Sequence, residues 1–207
     1  MPVTPYQAAT DVLDRANTLL SLDVEPAPDG ARQDIRRAAF VMSVTAIDTQ
    51  LHWLVRRVPL AGTLPKTLAK MEVPLQSLVD MAERSVENRR RGIADRPETR
   101  ARNVLNETIL KMPFQGASAV ERALGMAGIA HVWTKLGAAM SPAETGNDVK
   151  DQLNKLTHRR NQIAHEGDLR RLVRPQAVTH QDISAESVAE ALAWARRFCA
   201  AIHTVSS

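Results

Sequence analysis

Three observations predict an all-α fold for this chain. Apolar residues recur at alternating three- and four-residue intervals along three stretches. These are Phe40, Val44, Ile47, Leu51, Leu54 and Val58; then Met126, Ile129, Trp133, Leu136 and Met140; then Val188, Leu192, Ala195, Cys199 and Ile202. Such spacing marks the seam of a helix bundle. No stretch of useful length alternates apolar and polar residues as a half-buried strand would, and no internal repeat or low-complexity tract divides the chain. Its 207 residues suffice for one domain with its own core, so residues 1–207 are expected to form a single helical domain, with 60–113 as a helical insertion.

In chain order, Thr4 or Pro5 opens a first helix through Leu13, Ala16, Leu19 and Leu20, and the prolines and glycine of Asp23 to Gly30 end it. The next helix is expected from Ala31 to about Arg57 and carries the main core seam. Beside that seam Asp48 and His52, four residues apart, share a face and are placed to hydrogen-bond. Pro59 to Pro74 is broken by prolines and Gly62. A helix from Leu75 then turns basic, with Arg84, Arg89, Arg90, Arg91, Arg96, Arg100 and Arg102 interleaved with Glu83, Glu87, Asp95 and Glu98. Interleaved charge reads as a solvated, salt-bridged helix pair, and Arg89, Arg90 and Arg91 are also its candidate RNA contacts. Ser118 is expected to cap one helix running through Met140, and Asn147 to cap the helix after it. Arg170 to Gln181, with Pro175, reads as a loop into a last helix capped by Ser184. There the seam is widened by Trp194, Phe198 and Val205, as for a helix inside a bundle or at a dimer interface.

Chemistry concentrates in Leu156 to Asp168, LTHRRNQIAHEGD. Upstream, Val149, Leu153, Leu156, Ile163 and Ala164 form an apolar stripe, with Arg160 in its middle. An arginine there needs a carboxylate, or the face borders a wet cleft or a subunit interface. Asn154, His158, Asn161 and His165 align as a polar ridge on another side. Arginine is a fixed fork of donors suited to phosphate, and histidine is the side chain that exchanges protons near neutral pH. RNA cleavage without a metal needs a base, an acid and a fixed cation; Arg160 and His165 can supply the cation and one proton transfer, with Asn161 orienting. The other reading has Arg160 ion-paired and His165 capping carbonyls near a helix stop at Gly167. Residues five apart on a straight helix point roughly 140° apart. The active cleft is therefore expected to be shared between two subunits of a homodimer, one chain's Arg160 meeting the other's His165 across a two-fold axis, unless the helix deforms before Gly167. Zinc through His158 and His165 fails, because the two lie about 10 Å apart along the axis while Zn–N bonds are about 2 Å.

The segment R160-N161-Q162-I163-A164-H165 resembles the arginine, polar residue, three variable residues, histidine signature of the HEPN superfamily (higher eukaryotes and prokaryotes nucleotide-binding). It is most similar to the RiboL-PSP-HEPN branch, with Ala38 to Val55 as the early helix, Arg159 to Asp168 as the motif and Asp182 to Val205 as the closing helix. The resemblance implies a helical bundle, often homodimeric. It also implies a metal-independent endoribonuclease of toxin–antitoxin, defence or RNA-processing systems, with an antitoxin or nucleotidyltransferase as possible partner. It gives Arg160 and His165 the catalytic roles and Asn161 the polar second position, with Arg159 and His158 beside them as RNA contacts. Members commonly carry a glutamate in the early helix; here the acidic residue is the shorter Asp48, a candidate catalytic residue as partner of Arg160. The alternative within the superfamily is a non-catalytic nucleotide-binding or dimerisation module.

Composition narrows the remaining classes. A net charge of +4 and a pI near 9.6 fit a polyanionic partner. Aromatic residues at 3% are too few for the stacking platforms of RRM or OB readers, so RNA contacts are expected through arginines. Cys199, the single cysteine, excludes a disulfide within one chain and reads as a core thiol in a reducing cytoplasm. Signal-peptide and membrane-spanning patterns are absent, and so are phosphate-cradling glycine loops, His-Glu-x-x-His pairs and nucleophile elbows. No cofactor is expected.

Overall fold

Thr4 starts the first helix, α1 (Pro5–Leu20), by a reciprocal cap. Its hydroxyl accepts from the Gln7 N–H at 3.1 Å, Gln7 Oε1 accepts from the Thr4 N–H at 2.8 Å, and proline holds the first helical position. In the computed structural model, which describes residues 2–94, 96–170 and 177–207, nine helices follow one another among the described residues. After α1 come α2 (Asp29–Arg56), α3 (Lys66–Ala69), α4 (Leu75–Arg90), α5 (Pro97–Ile109), α6 (Ala117–Met126), α7 (Val132–Ala139), α8 (Gly146–Glu166) and α9 (Ala185–Ser206). The one β-type pairing among these residues is an isolated antiparallel bridge between Leu169 and His180. The fold is all-α, and no described helix is long and apolar enough to cross a membrane.

The seams become the core. Phe40, Val44, Ile47 and Leu51 of α2 are buried, as are Val188, Leu192, Ala195, Cys199 and Ile202 of α9. Burial of one such large apolar side chain is worth roughly 1.5–3 kcal/mol against ~0–1 for an exposed ion pair, so these faces set the architecture. Helices α1, α2 and α9 pack on one another; α7 joins α9 to α8, and α8 also rests on α2. Trp194 and Phe198 stack with centroids 4.9 Å apart. Cys199 is fully buried and its thiol is pushed up to about 12 by that burial.

Residues 60–113 hold α3, α4 and α5. Helix α5 packs on α2, α3 on α6, and α4 on α5. Helix α4 buries none of its residues. Its Leu75, Leu78, Val79 and Val86 are exposed, while Ser77, Asp80 and Arg84 share a cleft with Arg100, Asn103 and Glu107 of α5. Of the interleaved charges, Glu87 and Arg91 pair four residues apart at the end of α4, at 2.5 Å. Asp95 and Pro175 lie outside the described residues.

Five features differ from the sequence reading. The helix expected from Ser118 to Met140 is two, α6 and α7, parted where Gly128 and His131 adopt φ of +85° and +53°. Met126, Trp133, Leu136 and Met140 are nevertheless all buried, because the spacing records which residues face the core and not whether the backbone is continuous. Ser118 lies inside α6, with Gly116 at the cap position. Thr145, not Asn147, caps α8, its hydroxyl accepting from the Asp148 N–H at 3.2 Å. Helix α3 was not foreseen, and α2 begins two residues before Ala31. Ser184 caps α9 as expected, accepting from the Ser187 N–H at 3.1 Å.

Helix α8 is seated by close backbone approach. A Cβ at Gly137 of α7 would lie 2.5 Å from the Glu144 carbonyl oxygen and 3.0 Å from the Gly146 nitrogen, and one at Gly146 would lie 2.9 Å from the Trp133 carbonyl. Gly137→Ala is therefore expected to lower stability by about 1–3 kcal/mol. Urea denaturation followed by circular dichroism checks it; an unchanged midpoint would mean the two helices separate at no cost.

Candidate functional site

Helix α8 leaves the core as it approaches the motif. Val149, Leu153 and Leu156 are buried, Ile163 is half-buried, and Ala164, His165 and Glu166 are exposed. The apolar stripe thus stops short of Ala164. The helix ends where the sequence indicated, at Gly167 in the left-handed conformation (φ +63°), with the Asp168 N–H bonded to the Gln162 carbonyl at 2.9 Å.

Asp168 fastens this end. Only 1% of its side chain is exposed, and two arginines bind it: Arg37 Nε at 2.8 Å from Oδ2, and Arg159 through Nη1 to Oδ1 and through Nη2 to Oδ2, the latter at 3.0 Å. Arg37 Nη2 also donates to the Gln181 carbonyl at 2.8 Å, and the Gln181 N–H donates to the Asp168 carbonyl at 2.8 Å. One carboxylate thereby ties α8 to α2 and to the segment leading into α9. Sequence reasoning placed Arg159 among RNA contacts; its guanidinium is bound to Asp168, and its side chain is 21% exposed. The role of Asp168 was missed, since its partner Arg37 is 131 residues away and no spacing rule links them.

With Arg159 turned inward, Arg160 takes the other side. Its Nη1 lies 3.0 Å from Asn161 Oδ1 and 3.0 Å from His165 Nε2, while its Nε is buried without a partner. Arginine only donates, so Nε2 accepts, and a neutral His165 carries its proton on Nδ1. The sequence argument let one chain bring these two residues together only if the helix deformed before Gly167; their side chains meet without that. The helix stays regular through Glu166, and the long arginine side chain wraps along it to close the angle. Of the two environments considered for Arg160, the carboxylate partner is not the one found; both recorded partners are neutral acceptors on a half-exposed face.

The other candidates separate. His158 is exposed on the same side, and Asn154 Oδ1 accepts from the Ala117 N–H at 3.2 Å. Asp48 is not bound to Arg160. Its Oδ1 accepts from the Phe114 N–H at 2.6 Å and sits 3.6 Å from His52 Nε2, which is too long for the hydrogen bond expected from their spacing. It anchors the stretch before α6, which reaches α8 through Thr157 Oγ1 donating to the Gln115 carbonyl at 2.9 Å. Arg89, Arg90 and Arg91 are exposed at the end of α4, a helix that rests on α5 and does not bring them to the motif. Among the described residues no group of three or more His, Cys, Asp or Glu is placed to hold a metal ion. No family model, curated protein or solved structure matches the chain, so any chemistry assigned to this site rests on its residues and their geometry.

Two measurements test these assignments. Asp168→Asn leaves two arginines facing a neutral amide, and is expected to cost about 3–5 kcal/mol in urea denaturation; a loss below about 1 kcal/mol would reduce the triad to a surface pair. The second concerns His52, whose pKa is lowered by burial and by Arg56, against the pull of Asp48. A histidine with a depressed folded-state pKa stays neutral while the unfolded chain takes up its proton. Stability should then fall as pH drops below the unfolded value near 6.5 and onward through the lower folded value. The His52→Phe variant should lose less stability than the parent between about pH 6.5 and 5. Parallel curves would place the acid sensitivity elsewhere.

Proposed function

We propose that the protein is a metal-independent endoribonuclease of HEPN type, acting on single-stranded or looped RNA. The observation that carries this reading is the contact of Arg160 Nη1 with His165 Nε2 at 3.0 Å on the exposed end of α8. An unprotonated ring nitrogen there stands next to a permanent cation. A phosphodiester arriving at Arg160 takes over guanidinium donors, and His165 Nε2, released, accepts the proton of the adjacent 2′-hydroxyl. The 2′-oxygen attacks phosphorus, the developing charge is held by Arg160, and the 5′-oxygen leaves with a proton from solvent. Asn161 holds the arginine through the Nη1 contact. His158 and the exposed arginines of α4 are proposed RNA contacts.

The proposed assembly is a homodimer in which each chain supplies its own arginine and histidine. The proposed setting is a toxin–antitoxin, defence or RNA-processing system, with an antitoxin or nucleotidyltransferase as partner. A second reading, binding of RNA without cleavage, has one observation in its favour: the lone pair a base would use is already engaged by Arg160.

Arg160→Ala and His165→Ala are each expected to lower cleavage of labelled RNA at least about 100-fold in excess chelator, with helical content unchanged. Mixing the two variants should restore nothing, since the pair works within one chain. Cleavage equal to the parent in both variants ends the nuclease reading. Retention of RNA without cleavage by the parent selects the binding module, and recovery on mixing would return the site to two subunits.

A further inference from the structure

A cavity of about 600 Å³ contains no residue of the Arg160–His165 site. It opens where the start of α1, the end of α2, the joint between α6 and α7 and the end of α9 converge. Its volume is that of a small-molecule site, and Leu54, Val58, Pro65, Ile129 and Val205 give it apolar walls. Tyr6 and His203 add two stacked rings, 4.9 Å apart and 4° from parallel.

Two polar features distinguish this cavity from a packing defect. Gln50, 1% exposed, is among its lining residues; its Nε2 donates to the Cys199 carbonyl at 2.9 Å, which fixes the carboxamide and leaves Oε1 buried without a partner. Buried acceptors in folded proteins nearly always have a donor, so this one marks a place for an N–H or O–H. Arg57 also lines the cavity, held by its bond to the Val3 carbonyl and by the Trp53 ring 5.8 Å away. Thr4, Pro5 and Tyr6 bring the positive end of α1 to the same space, and no aspartate or glutamate side chain lines it. With a cation, apolar walls, hydroxyl and imidazole groups in its lining and no carboxylate side chain, the cavity is complementary to one kind of molecule.

We propose that it binds a small aromatic anion bearing one N–H or O–H donor, with its rings between the apolar walls, its donor on Gln50 Oε1 and its anionic group on Arg57. Three fluorescence titrations test this on the full chain. The probes are 1-anilinonaphthalene-8-sulfonate, which has rings, an N–H and an anion; N-phenyl-1-naphthylamine, which lacks the anion; and 1-phenoxynaphthalene as competitor, in which an ether oxygen replaces the N–H.

The sulfonate should bind saturably at one site, and Arg57→Gln should weaken it about tenfold while changing the neutral amine less than about twofold. The ether should displace the neutral amine with a dissociation constant about fivefold above the amine's own. Ala61→Trp, at an exposed position on the cavity wall, should block both fluorescent probes with the circular dichroism spectrum unchanged. Leu75→Ser with Val79→Ser, on the exposed apolar face of α4, should alter neither. Loss of binding in that α4 variant, equal weakening of both probes by Arg57→Gln, an ether that competes as well as the amine, or no saturable binding would each overturn the proposal.

Discussion

A buried carboxylate cannot be left alone, and the arrangement of the motif helix follows from that constraint. Desolvating Asp168 would cost several kcal/mol without compensation. Two guanidiniums from elements far apart in sequence provide it, each satisfying further acceptors or oxygens in the same place. The triad decides where neighbouring side chains go. Arg159 and Arg160 are adjacent and about 100° apart on the helix, so turning the first inward to Asp168 sends the second outward to Asn161 and His165. The candidate site is thus a by-product of a structural lock. Arg160 is left to neutral partners because the neighbouring arginine takes the carboxylate.

The same division runs through the basic residues generally. Asp23 gathers Arg32 and Arg36, at 2.8 and 2.6 Å, and their hydrogen bonds hold its carboxyl below the usual range. Arg197 pairs with Glu144 at 2.9 Å and Arg196 with Asp14 at 2.6 Å. The count of 27 lysines and arginines therefore overstates the number of cations presented to a polyanion. Arginines in these pairs hold segments together, and their fields are largely cancelled within a few ångströms.

Much of the bundle was legible because its seams are periodic and burial follows period. The caps at Thr4 and Ser184 and the stop at Gly167 were legible for a similar reason: each is a local rule connecting neighbours. What failed was long-range or conformational. The break between α6 and α7 depends on left-handed residues at Gly128 and His131, which a seam counted across the gap does not register. The partners of Asp48 and Asp168 come from other helices or loops, so the carboxylate expected beside Arg160 proved to be fastening Phe114. The angular argument separating Arg160 from His165 was correct for Cβ directions. It failed because an arginine carries its charge several bonds beyond them.

None of the residues of helix α4 is buried, and its Leu75, Leu78, Val79 and Val86 are exposed. Detaching it removes little apolar contact from the core, so its stability is set by helix propensity and a few polar contacts rather than by the cooperative unit formed by α1, α2 and α9. Amide protons of α4 are accordingly expected to exchange faster than those of α1, α2 and α9. The same independence makes this hairpin the place where the chain can be cut, lengthened or replaced with least consequence for the bundle.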